Sequence, residues 1–343
     1  MATDEPTTGR RRARTKTWSE LGDLGRRPTT YEIVTHGMNH TMGESPLELG
    51  AEVLGNTWLR EHRDAMHIVG VDWEAFRDPD QLTYEAYCAR QDDAETYVDA
   101  VLDRFDLDQD SDAKASPELM AFQLKVLSPS RYAAHGLQML SAYVQQLAPS
   151  AYVANCASFQ TADQLRRIQR VAERTKMAQL AHPDAGFGTS ERAKWEADPA
   201  WQPLRRAIEE ALLEYRWDRS LVAVQLVVKP ILDLLLLDAF AVQVRSLGGE
   251  LDALLAESLA SDARRSRAWT AELLRHIVAA HEANREAIRA TLDDWRDRGA
   301  GLIAAGAALL ASPSGRSSDE IADDVAQRWH AHLEASGLAT AST

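Results

Sequence analysis

Ten histidines and 52 acidic residues are the side chains of this 343-residue chain best suited to hold a metal. A helical site for two irons needs Glu-x-x-His on each of two helices, plus a further carboxylate from each of two others. None of the ten histidines has a glutamate three residues before it. His67 has Asp64 there, but in an irregular aromatic stretch. His36 and His40 stand four apart and His330 and His332 two apart, spacings more typical of solvated or partner-facing histidines than of ligands. Cys88 and Cys156 have no neighbour at metal or redox spacing. Gly186-Phe187-Gly188 lacks the third glycine and the preceding strand of a phosphate loop. No Gly-x-Ser-x-Gly nucleophile elbow occurs. His135, Glu173, Asp233 and Asp238 are the residual set for a metalloenzyme, the least favoured reading.

Two polar segments stand out within apolar patterns. Stepping by helical turns from Gln164 meets Val153, Ala157 and Gln160 on one side and Ile168 and Val171 on the other, with Arg167 one turn on. The same walk from Asp262 meets Leu255 and Leu259, then Trp269 and Leu273, with Arg265 one turn on. Gln164 and Asp262 therefore lie on inward faces. Polar groups there must find partners, because unpaired burial is costly.

The elements that carry these residues are long helices. Glu250 to Arg298, Ser150 to His182 and Leu204 to Lys229 contain neither Gly nor Pro and are rich in Ala, Leu, Arg and Glu. No stretch alternates like a strand, so the fold class is all-α. Ser116-Pro117, Ser128-Pro129 and Asp198-Pro199 read as helix starts, Thr83 as the cap of a helix to about Phe105, and Gly248-Gly249 as a break. Pro230 should kink its helix without ending it. Ser317 to about Ser336 forms a short amphipathic helix with Ile321, Val325, Trp329 and Leu333 on one face. Residues 1–82, aromatic but without helical period, read as an extended arm lying on a partner. Residues 83–300 form the helical domain. Residues 301–343 hold C-terminal helices and a frayed tail.

The formal charge of −14 argues against general nucleic-acid binding, with the run Arg10, Arg11, Arg12, Arg14, Lys16 as a local exception. Two cysteines and no apolar segment after that run point to a soluble, cytoplasmic protein. Leu221 to Val244 is broken by Gln225, Lys229, Pro230, Asp233 and Asp238, so it reads as a buried helix and not a membrane span.

A set of segments resembles the hydroxylase β subunit of soluble bacterial multicomponent di-iron monooxygenases, a group that includes toluene, phenol, alkene, propane and methane oxygenases. They are Thr17-Trp18-Ser19, Pro28-Thr29-Thr30-Tyr31-Glu32-Ile33-Val34, and Trp73-Glu74-Ala75-Phe76-Arg77-Asp78-Pro79-Asp80-Gln81-Leu82-Thr83-Tyr84. They continue with His135-Gly136-Leu137-Gln138-Met139, Phe159-Gln160-Thr161-Ala162-Asp163-Gln164-Leu165-Arg166-Arg167 and Val227-Val228-Lys229-Pro230. The resemblance implies a ferritin-like bundle diverged from the metal-binding α subunit, whose iron-binding helices carry Asp-Glu-x-Arg-His. On that pattern Gln164 stands for a ligand glutamate and Arg167 for a histidine, and Asp262 and Arg265 take the same places in the second segment. A guanidinium has no lone pair for iron. The resemblance thus implies vestigial metal positions, no metal and no catalytic residue in this chain, and a network of Asp262, Arg265, Arg167 and Gln164 filling the old site.

It further implies a di-iron α subunit as partner, a second αβ unit, a γ subunit in most members, an effector protein, and a reductase that carries FAD and a 2Fe–2S cluster and draws on NADH. Trp18, Tyr31 and Trp58 are the candidate partner anchors, since Trp is enriched at interfaces. With 32 arginines against 6 lysines the composition hints at a GC-rich bacterium, favouring an alkene or propane substrate. The rival reading is a stand-alone helical binding or regulatory protein, with the Leu221–Val244 helix as a pocket wall.

Overall fold

The structure, a computed structural model, describes residues 21–36, 53–107 and 112–338. Among them there are helices and no strands. Two short helices, α1 (Thr30–Thr35) and α2 (Leu54–Leu59, prolonged by a π turn at Arg60–Asp64), precede the bundle. Then come α3 (Tyr84–Leu107), α4 (Pro117–Phe122, prolonged by a π turn at Gln123–Leu127), α5 (Ser130–Gln146) and α6 (Ala151–Ala181). After α7 (Glu191–Ala197) and α8 (Gln202–Ala211) runs the central helix α9 (Trp217–Ser246). Finally α10 (Glu250–Ala280), α11 (Glu282–Leu310) and α12 (Ser318–Ala335) complete the chain.

Local chemistry explains most of these boundaries. Thr83 Oγ1 accepts from Ala86 N–H at 3.1 Å and Ser116 Oγ from Leu119 N–H at 3.1 Å, as the sequence predicts for caps. Ser317 and Glu320 form a reciprocal capping box at the start of α12. Gly248, at φ +87°, sits where α9 turns into α10. Ser128 does not cap α5: the π turn of α4 runs up to it, and its hydroxyl finds no partner among the described residues.

Two breaks carry no Gly or Pro. The stretch read as one helix from Leu204 divides at Leu212–Arg216 into α8 and α9. The long helix from Glu250 stops at His281, whose Nδ1 accepts from Ala283 N–H at 3.1 Å. Asn284 holds that corner, donating to the Ile277 and Val69 carbonyls at 2.9 Å each.

α9 lies at the centre, and its most apolar 18-residue window is wholly buried. It is the one described helix long and apolar enough to cross a membrane, and here it is wrapped by protein. Pro230 neither stops nor sharply breaks it; π turns at Ala223–Val228 and Leu234–Ala239 flank the proline. Proline has no N–H to offer the carbonyls one turn back. α12 supplies the donors instead: Trp329 Nε1 bonds Leu226 O at 2.6 Å and His332 Nε2 bonds Gln225 O at 3.1 Å. The C-terminal helix thus repairs the proline's defect.

Within the stretch read as an extended arm, the described residues are partly helical and partly core. Thr29 and Glu32 form a capping box for α1, and Arg26 and Arg77 grip the buried Glu32 carboxylate at 2.7 and 3.0 Å. Tyr31, Ile68 and Phe76 join the main hydrophobic core. The boundary expected at residue 300 falls inside α11, whose Leu302, Ile303, Leu309 and Leu310 are also core.

Candidate functional site

Where α3, α6, α9 and α10 meet, the interior is polar. α3 lines this side with Tyr87, Gln91, Glu95 and Asp99, each four residues after the last, running from buried Tyr87 to exposed Asp99 at the rim. α6 answers with Asp163, Arg166, Arg170 and Arg174, three or four apart, while the adjacent Arg167 points to α9. Such spacings place each set on one helix face.

The contacts form a ladder. Arg265 of α10 pairs with Asp163, which also accepts from Tyr87 O–H at 3.0 Å and Gln91 Nε2 at 3.2 Å. Asp262 accepts from Arg166 at 2.8 Å and from Gln91 at 3.0 Å. Arg166 also holds Glu95 at 2.5 Å and Ser258 Oγ at 3.0 Å. Arg167 donates to Asp233 of α9 at 3.1 Å, and Lys229 reaches the other oxygen of that carboxylate at 2.5 Å. Further along α6, Arg170 meets Glu95 and Asp99 at 2.6 Å each, and Arg174 meets Asp112 and, at 2.7 Å, Asp252.

The environment is dry. Asp233 is 0% exposed and Arg167 and Lys229 are 2% exposed each. Burial pushes the Asp163 carboxyl up to about 7, with Arg265 pulling it the other way. Burial lowers Arg167 and Lys229 against the opposing pull of Asp233.

All four positions singled out in the sequence lie in or beside this ladder, but they do not pair with one another. Arg265 pairs with Asp163, and Asp262 with Arg166, because the residues one place before the expected ones on α6 face α10. Arg167 turns towards α9. Gln164 is buried, and its carbonyl oxygen meets no donor among the described residues. Sequence reasoning did not assign Asp163, Arg166, Glu95, Gln91 and Lys229 to the site, and it named Asp233 only as a possible metal ligand. The signal was the four-residue spacing on α3 matched to arginines at 166, 170 and 174 on α6.

The other candidates lie apart. Tyr31 is not a partner anchor: it is 3% exposed, its ring packing on Tyr152 at 5.7 Å. Trp58 is half-buried, against Tyr215 and His62, and donates to Tyr143 Oη at 3.2 Å. Trp18 and His40 lie outside the described residues. His332 is buried on Gln225 O, and His330 stacks on Trp329. His135 and Glu173 are exposed, away from Asp233 and Asp238 in role, and no three His, Cys, Asp or Glu side chains among the described residues gather as a metal site.

A di-iron group does not fit this donor set. The buried carboxylates Asp163, Asp262 and Asp233 are each already bonded to a guanidinium or ammonium. Arginine offers iron no lone pair, and the cations would repel it.

Fold and site together define a ferritin-like helical protein whose central positions are occupied by ion pairs. The chain belongs to the methane/phenol/alkene hydroxylase family, whose profile matches residues 58–281, and groups there with the β subunits of multicomponent di-iron monooxygenases. It is 35% identical over 283 residues to the β subunit of the hydroxylase component of the toluene-4-monooxygenase system of Ectopseudomonas mendocina, covering 82% of this chain and 86% of that one. It is 27% identical over 231 residues to the phenol 2-monooxygenase oxygenase component DmpL of Pseudomonas sp. (strain CF600), covering 66% and 68%. A chain in the structure of toluene 4-monooxygenase with toluene in its resting active site superposes with a TM-score of 0.81 at 33% identity, over 91% of this chain and 100% of that one. A chain of xenon-pressurized phenol hydroxylase from Pseudomonas sp. OX1 gives 0.80 at 19% identity over the whole of both, a likeness of fold.

Proposed function

We propose that this chain is a non-catalytic scaffold of the oxygenase component: it holds no iron and supports a di-iron α subunit that activates O₂. The ion-pair ladder carries this reading, because it commits the buried carboxylates to arginine and lysine at the place where ligands would stand. The wider assembly follows the family resemblance. Two αβ units associate, with or without a γ subunit. An effector protein gates the α subunit, and a reductase with FAD and a 2Fe–2S cluster passes electrons from NADH, in the cytoplasm.

The substrate is a small hydrocarbon taken up by α. The relatives' names, toluene and phenol, favour an aromatic ring over the alkene or propane suggested by composition. The stand-alone alternative gains no support: the most apolar window of α9, its supposed pocket wall, is wholly buried. A surface groove of about 620 Å³ lies elsewhere, between α8 and α11, over Ala207, Leu302 and Ala305.

Co-expression with and without the α subunit tests the proposal. Iron should follow α, and the chain purified alone should contain none and consume no O₂. Stoichiometric iron in the isolated chain would overturn it. Trp18→Ala and Trp58→Ala should weaken co-purification with α.

A further inference from the structure

The buried guanidinium of Arg167 is only half used. Its Nη1 donates to Asp233 of α9 at 3.1 Å. Nε and Nη2, the donors of its other edge, find no acceptor among the described residues. One turn back on α6, buried Gln164 has the opposite need, because its Oε1 finds no donor there. Residues three apart on a helix are neighbours, and a long helical side chain leans over the turn before its own Cα. Two unused donors therefore lie beside an unused acceptor, where unpaired polar atoms are costly.

Space adjoins them. A small cavity opens where α6, α9 and α10 meet the π turn of α4. Arg167 and the Asp252 carboxylate line it, and Leu127, Phe240 and Ala256 are among its apolar walls. Its volume, about 10 Å³, is room for a single water and too little for a phosphate or carboxylate group. Charge and hydrogen bonding narrow the occupant further. Asp252 repels an anion. A halide could accept from Arg167, but it carries no hydrogen for Gln164. Water both accepts and donates.

We propose that this cavity holds one ordered water, which accepts from the Nε–Nη2 edge of Arg167 and donates to Gln164 Oε1. The two positions that the family resemblance makes vestigial for metal are thereby completed by solvent. The proposal does not rest on the scaffold reading. Iron bound elsewhere in the chain would sink that reading and leave the water in place.

Crystals of the full chain grown in sodium bromide test it, with diffraction recorded at the bromine absorption edge. The expected result is a peak without anomalous signal, about 2.7–3.2 Å from Arg167 Nε and Nη2 and from Gln164 Oε1. Arg167→Met should lose that peak, because the walls left are mostly apolar and such cavities stay dry. If the variant does not fold, the parent crystals decide alone. A bromine signal in the cavity would overturn the proposal. So would a direct Arg167–Gln164 hydrogen bond with no peak beside it, or a peak that persists in Arg167→Met.

Discussion

Replacing Arg265 by methionine should destabilise the chain by about 3–5 kcal/mol well above pH 7, where Asp163 is ionised, because it strips a buried carboxylate of its counter-charge. Asp163 would keep only Tyr87 O–H at 3.0 Å and Gln91 N–H at 3.2 Å as donors. Its carboxyl already sits at about 7 against an ordinary 3.8, through burial. Without Arg265 the value climbs further. A carboxyl raised on folding binds a proton that the unfolded chain has released, so its contribution to stability is fully present below about 4 and lost as pH rises through 7. The penalty of Arg265→Met relative to the parent should therefore fade below neutrality, where Asp163 is protonated in both folded forms. Adding Asp163→Leu removes the stranded acid, and the double variant should return to within about 1 kcal/mol of the parent. Urea unfolding of the four proteins at about pH 8.5 and at about pH 5.5 reads all of these values. A double variant as unstable as the sum of its two singles would refute the reasoning, as would a single Arg265→Met change that costs nothing.

The repair of Pro230 makes a second prediction. Trp329→Phe should cost about 1–3 kcal/mol by orphaning the Leu226 carbonyl, and Pro230→Ala should recover part of that loss by restoring a backbone donor. His332 gives a third. Burial pushes it down to about 4 from 6.5, so its contribution is present above 6.5 and is lost as pH falls to 4, by about 3 kcal/mol. In His332→Leu that slope should vanish from a series of unfolding midpoints, leaving the opposite slope of Asp163. Fourth, Gly136→Ala would place a Cβ 2.5 Å from Ile208 Cγ2, forcing α5 and α8 apart; a lower melting temperature, worth about 1–3 kcal/mol, is expected.

The long helices were legible because amphipathic period and the absence of Gly and Pro are local signals. α6 and α12 fall almost where the sequence places them, and the helix runs on past Pro230. The breaks at Leu212–Arg216 and His281 were hidden because tertiary contacts make them. Asn284 reaches back to Ile277 and across to Val69, a partner 215 residues away. Tyr31 looked like an anchor because nothing near it in sequence shows that Tyr152 will cover it. In the site, the inward faces of α6 and α10 were legible as faces. Which arginine meets which aspartate was not, since that depends on how the two helices are rotated about their axes. A shift of one residue on α6 exchanged the expected partners of Arg265 and Asp262 for Asp163 and Arg166.

The donors that complete the central helix come from Trp329 and His332, near the far end of the chain. Synthesis proceeds from the N-terminus, and domains tend to form as they emerge. This one cannot finish in that order. While the ribosome is still adding the last helix, the carbonyls of Gln225 and Leu226 have no permanent bonds, and the middle of the protein stays incomplete. A message truncated shortly before Ser317 would release a chain with most of its hydrophobic surface and no closing piece, a substrate for proteases before it could meet a partner. The central helix of this fold is thus completed only once α12 has been made and docked.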